Sequence, residues 1–216
     1  MRQLRIASAA ALALLGAGAV VAAEEGGPSA YDRIFVNGTL DEVPADRTLV
    51  YDRSITNGFD PEPEEDGRIE LSIEGEMARL TLRRDGRHRV LGEFPAGVGN
   101  PIIMYFVETV VRDVAEAAGG NPFYIRNRMK EALLEAGEVR DVPGATEVTL
   151  HPFADDPNAA RMQGFDALTL SAVMSPEVPG LYQTLSASIP ETGTEAYSTT
   201  LTFDHMGDRT AEETSP

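Results

Sequence analysis

Two blocks of strict period-two alternation, separated by a pair of helical segments that open on the same tripeptide, leave this chain few folds. In the first block Ile69, Leu71 and Ile73 alternate with Arg68, Glu70, Ser72 and Glu74, and Ala78, Leu80 and Leu82 alternate with Arg79, Thr81 and Arg83. Successive side chains of a strand point to opposite faces, so this spacing predicts two half-buried strands. Gly75 and Asp85-Gly86 supply hairpin turns between and after them. Pairing then sets Glu70 and Glu74 near Arg79 and Arg83 on a solvated face. Residues 47–55 form an earlier strand, followed by an acidic, proline-rich loop at 61–66 that suits neither strand nor helix.

The period changes at Gly99-Asn100-Pro101 and again at Gly120-Asn121-Pro122. Asn caps exposed N–H groups, and Pro in the first turn loses nothing by lacking its own. After the first triplet Ile103, Phe106, Val107, Val110, Val111, Val114 and Ala118 share one helical face, with Glu108, Arg112, Asp113 and Glu116 on the other. Glu108 and Arg112 have the spacing of an i,i+4 pair. After the second, Phe123, Ile125, Met129, Ala132, Leu133 and Ala136 recur at helical spacing until Gly137. Gly119-Gly120 leaves a tight connection, hence a helical hairpin over 100–136.

Alternation then returns. Leu168, Leu170, Ala172 and Met174 form one face; Leu181, Leu185, Ala187 and Ile189 face away from Tyr182, Thr184, Ser186 and Ser188; Tyr197, Leu201 and Phe203 oppose Ser198, Thr200 and Thr202. Residues 146–151 suit a shorter strand. Ser/Thr-rich outer faces fit antiparallel sheet with one side in water. The expected fold is therefore α+β: a curved antiparallel sheet, or half-open barrel, of about eight strands with the helical hairpin on its concave face.

The N-terminus reads as an export signal. Arg2 and Arg5 precede an apolar or small-residue run from Ile6 to Ala23 that ends in Val21-Ala22-Ala23, with charge resuming at Glu24-Glu25. The alternative is a retained anchor, since the run approaches spanning length; its Ala/Gly make-up and the absence of a following Lys or Arg favour cleavage. The division expected is a signal peptide at 1–23, a flexible leader at 24–30, one β-rich domain at 31–206 and a disordered tail at 207–216. Loss of Arg2 and Arg5 leaves sixteen basic against thirty-five acidic side chains, a net charge of −19. Such a surface repels nucleic acid and anionic lipid at long range. There is no cysteine, so disulfides, thiol catalysis, cysteine-ligated metals and lipidation at the cleavage site are excluded.

Thr48-Leu49-Val50-Tyr51-Asp52, together with the export signal and the strand–helix–strand layout, resembles the periplasmic lipoprotein-carrier superfamily of half-barrels. The run Gly99-Asn100-Pro101, Phe106, Glu108, Arg112, Gly119-Gly120, Tyr124, Arg126, Arg128 resembles a motif of an uncharacterised exported bacterial protein family. The first resemblance implies architecture; the second implies no activity.

Catalytic spacing is scarce. There is no Gly-x-Ser-x-Gly elbow, and the three histidines are scattered. His151 has Asp155 and Asp156 close by in a Pro-broken loop, an arrangement open to base-plus-carboxylate or metal chemistry or to a solvated loop histidine. No zinc-type ligand cluster or EF-hand spacing occurs, and no cofactor or metal is expected. Arg112, Arg126 and Arg128 beside Tyr124 could grip a carboxylate or phosphate through forked, charge-assisted hydrogen bonds, or form an ion-paired helix surface. The basic hairpin Arg83-Arg84-Asp85-Gly86-Arg87-His88-Arg89 is either an anion contact or an edge guard. The expected function is a periplasmic, non-enzymatic binding or carrier protein for an apolar or amphipathic ligand such as a lipid, contacted by Arg112, Tyr124, Arg126 and Arg128. The alternative is an envelope interaction or assembly protein acting on a protein partner through a helix face or sheet edge. A hydrolase or metal-dependent enzyme around His151, Asp155 and Asp156 comes third.

Overall fold

A computed structural model describes residues 27–60, 66–190 and 196–209; the expected signal peptide, most of the leader, most of the acidic loop and residues 210–216 lie outside them. A short helix, α1 (Ala30–Ile34), leads into four strands, β1 (Arg47–Asn57), β2 (Gly67–Glu74), β3 (Met77–Arg84) and β4 (Arg87–Pro95). Two helices follow, α2 (Ile102–Ala117) and α3 (Pro122–Leu134). Five strands complete the chain: β5 (Glu138–Val142), β6 (Ala145–Leu150), β7 (Thr169–Met174), β8 (Tyr182–Ser188) and β9 (Tyr197–Asp208).

Among the described residues these nine strands make one antiparallel sheet in the order β4-β3-β2-β1-β9-β8-β7-β6-β5. The sheet stays open, because β4 and β5 are its two edges and do not pair. That order explains the helices. The chain leaves one edge at Pro95 and must re-enter at the other, eight strand spacings or about 38 Å away measured along the sheet. The α2–α3 hairpin makes the crossing on one face of the sheet and covers the apolar side of the strands, as the change of period predicts.

Turn chemistry agrees with the sequence at the hairpins. Asp85 and Gly86 both have positive φ, 51° and 71°, which a two-residue turn between right-twisted strands requires. On the outer face Arg79 meets Glu74 at 2.8 Å and Arg83 meets Glu70. Asn121 accepts from Phe123 N–H at 2.9 Å with Pro122 in the first turn of α3.

Four details depart from the pattern. Glu138–Val142 forms a ninth strand with no sequence signal, because an exposed edge needs no apolar face. Tyr182 points inward and is buried: the β7–β8 register slips between Val173 and Met174, leaving Gln183 as an extra residue that turns the strand over. Asp113 is buried as well, since α2 is covered by the sheet and by α3 and shows water only a narrow stripe. Finally, β9 continues to Asp208, and Arg209 N–H donates to Asp46 O at 2.9 Å.

The layer between helices and sheet is filled by side chains. Phe106, Phe153, Phe165, Ile102, Leu49 and Leu71 are fully buried. Three buried tyrosines tie the layers together: Tyr197 Oη donates to Asp113 Oδ2 at 2.9 Å, Tyr182 Oη donates to Ile34 O at 2.7 Å, and Tyr51 Oη lies 3.1 Å from Asn100 Nδ2. Burial pushes all three phenols up, and the Asp113 carboxylate adds to the shift of Tyr197. They serve as neutral donors and acceptors.

Candidate functional site

The four residues expected to meet a ligand divide into two pairs. On α3, Tyr124 Oη lies 2.8 Å from both oxygens of Asp156, and Arg128 Nε donates to Asp156 Oδ2 at 3.0 Å. Asn158 closes the cluster, its backbone N–H donating to Asp156 Oδ1 at 2.7 Å and its amide to Tyr124 Oη at 3.0 Å. The Asp156 side chain has no exposed surface. Burial works against its charge, but the Asn158 N–H, the Tyr124 hydroxyl and Arg128 outweigh that and hold the carboxyl below its ordinary value. Withdrawal from water and the bond to Asp156 raise the Tyr124 phenol. Arg128 also holds Glu131 at 2.6 Å. This pair fastens the 151–167 loop, with its 3-10 turns Ala159–Arg161 and Phe165–Ala167, to α3.

The other pair lies between α2 and α3. Arg126 takes Glu108 in a forked contact, so the i,i+4 pairing of Glu108 with Arg112 does not form. Arg112 is half exposed, 3.8 Å from Asp113. Glu108, Arg112, Glu116 and Arg126 line a surface groove of about 290 Å³ over Val111 and Ala115. Its cations and carboxylates neutralise one another, and all four expected contacts already face protein carboxylates.

His151 does not meet the carboxylates beside it in sequence. Its Nδ1 lies 3.3 Å from Thr169 Oγ1 and its Nε2 3.7 Å from Glu138, while Asp156 is turned to Tyr124 and Arg128. Among the described residues no group of three or more His, Asp or Glu side chains is placed to hold a metal ion, and no helix is long and apolar enough to cross a membrane.

An apolar concavity lies elsewhere, at the head of α2. Tyr31, Phe35 and Val36 from α1 and the turn after it, Phe94 and Pro95 from β4, Val98 from the 3-10 turn Ala96–Val98, and Ile103 and Met104 from α2 surround about 190 Å³. Around it Val98 is 68% exposed, Met104 54%, Tyr31 49% and Val36 40%. No charged residue lines it, in a chain whose residues are 25% charged.

Its floor is fixed by Asn100, the centre of the first Gly-Asn-Pro triplet. Asn100 Nδ2 donates to Gly180 O at 3.0 Å and to Tyr51 Oη, its Oδ1 accepts from Ile102 N–H at 3.0 Å, and its own N–H donates to Thr39 Oγ1 at 2.9 Å. Gly99 has φ 115°, and a Cβ there would stand 2.5 Å from Val36 O, so only glycine lets α2 begin this close to the end of α1. The triplet is legible in the sequence as a helix start, but the groove, built from α1, β4 and α2, is not. The one available signal was Val98 and Met104, apolar positions outside the predicted buried face.

No protein-family model and no curated protein matches the chain.

Proposed function

We propose that this is an exported, non-enzymatic interaction protein of the cell envelope that holds a partner polypeptide by apolar side chains seated in the groove at the head of α2. One observation carries the reading: Tyr31, Val36, Val98 and Met104, all large and well exposed, gather round a single concavity with no charged lining. Soluble chains scatter such residues, and a contiguous apolar patch marks a contact surface. Aromatic and Met enrichment with charge depletion is the composition of a protein interface core. The export element is supported by Arg2, Arg5 and the apolar run ending in Val21-Ala22-Ala23.

The polypeptide reading is preferred to carriage of a lipid on grounds of space. A carrier of this architecture needs a hollow between helices and sheet, where Phe106, Phe165, Tyr51, Tyr182 and Tyr197 are packed. The surface groove, at about 190 Å³, is below the roughly 300–1,000 Å³ typical of small-molecule pockets and suits one or two inserted side chains.

Native mass spectrometry of the protein from a periplasmic fraction, purified without detergent, tests this. The expected spectrum contains a complex with a second polypeptide that is lost in Met104→Glu. A bound mass of small-molecule size in its place supports carriage instead, and an uncomplexed chain in both samples removes the interaction reading.

A further inference from the structure

The groove is continuous with an open sheet edge. Phe94 and Pro95 line it and also end β4. Among the described residues β4 has one strand neighbour, β3, so the backbone N–H and C=O groups along its other side have no strand partner and form a template for one more strand.

The register across β3 sets which side chains share a face. Phe94 lies opposite Ala78, Arg89 opposite Leu82 and Arg87 opposite Arg84. Directly opposed residues project to the same side, and Ala78 and Leu82 face the core. Phe94, Arg89 and Arg87 therefore stand in one row along the rim of the sheet's helix-bearing side. Arg87 and Arg89 are exposed and make no ion pair among the described residues, in a chain of net charge −17. Exposed edge cations repel a basic strand and attract an acidic one.

The size of the patch points the same way. The exposed parts of Tyr31, Val36, Val98 and Met104 amount to something on the order of 400 Å² of apolar surface. That is about half of what one side of a standard protein interface buries. A short segment fits it better than a globular face.

We propose that the partner binds by strand addition: an extended segment pairs antiparallel with β4, seats an apolar side chain in the groove and sets acidic side chains beside Arg89 and Arg87. The proposal rests on the interaction reading above and specifies how the partner is held. β3 spans the bulge in β4 so that its partners of Phe94 and Arg89, Ala78 and Leu82, are four positions apart, and Arg84, the partner of Arg87, is six positions from Ala78. A strand in matching register carries its acidic residues about four and six positions C-terminal to the apolar anchor, where the side chains share a face.

The test is fluorescence anisotropy with the intact protein and a labelled peptide of about ten residues. It carries phenylalanine near its N terminus, glutamate four and six positions later, and threonine or valine between. A second peptide has the same sequence with alternate backbone nitrogens methylated. The expected results are salt-sensitive binding of the first peptide, none by the methylated one, and at least a tenfold loss in the double variant Arg87→Glu, Arg89→Glu. Failure of the first peptide to bind, equal binding of the methylated peptide, or an unchanged affinity in the double variant overturns strand addition. If a native complex is still lost in Met104→Glu, only strand addition falls; if Met104→Glu changes neither complex nor peptide, the interaction reading falls with it.

Discussion

Replacing Asn100 by Ala tests whether the first Gly-Asn-Pro triplet ties the layers together or merely starts a helix. The residue is 2% exposed, and its side chain makes three hydrogen bonds, to Gly180 O, Tyr51 Oη and Ile102 N–H. A typical bond contributes about 1 kcal/mol net, and a buried group left unpaired costs more. The variant should lose about 3–4 kcal/mol, a large part of the roughly 5–15 kcal/mol that holds a domain folded. With a urea m-value near 2 kcal/mol/M for a chain of this size, the midpoint falls by about 1.5–2 M. Asn100→Asp separates the two roles. It keeps the acceptor for Ile102 N–H but sets carboxylate oxygen against Gly180 O, so it should not restore stability at neutral pH. A loss below about 1 kcal/mol, or full rescue by Asp, refutes the tie and leaves only a cap.

Other expectations follow from the same geometry. Asp156→Ala leaves Arg128 and Tyr124 without their shared acceptor and should cost about 3 kcal/mol in urea unfolding. The Asp156 carboxyl is held below its ordinary value of 3.8, so its contribution is complete above that pH and is lost as pH falls through the lower folded value; Asp156→Asn should flatten the acid limb of a stability–pH curve measured by chemical denaturation. Gly180→Ala, at φ 78° with its Cβ 2.7 Å from Asn100 Nδ2, should cost about 2–4 kcal/mol by urea unfolding, and Phe165→Ala about 3–5 kcal/mol. Met104→Glu, on an exposed site, should leave the melting curve within about 0.5 kcal/mol of wild type, so that any effect on binding is not one of folding.

Most of the fold was legible because one face of each central strand is buried, and burial writes period two into the residues. Leu168, Leu170, Ala172 and Met174 were read as one face and are all buried. The misses fall where burial stops controlling sequence or where the backbone changes phase. Strand β5 is exposed along most of its length, so Val139 and Val142 alternate with nothing informative. At Tyr182 a bulge moves one residue out of register and reverses the strand, which no local pattern announces. Asp113 was assigned to water because it is charged, yet Tyr197, distant in sequence, supplies a buried partner. The candidate site was harder. Arg126 and Arg128 lie on α3, where the helical spacing places them, but their carboxylate partners, Glu108 and Asp156, come from other elements. The groove is built from α1, β4 and α2, which the topology brings together and no stretch of sequence contains.

The claim that the head of α2 is a contact surface is tested most directly by placing a photo-reactive amino acid there in living cells. Met104 is the position of choice, with Val139, an exposed apolar residue on the opposite edge, as the control. A discrete cross-linked polypeptide is expected from Met104, absent from Val139 and lost when Val98→Glu is added. Cross-links of equal strength from both positions, or none from Met104, contradict that claim.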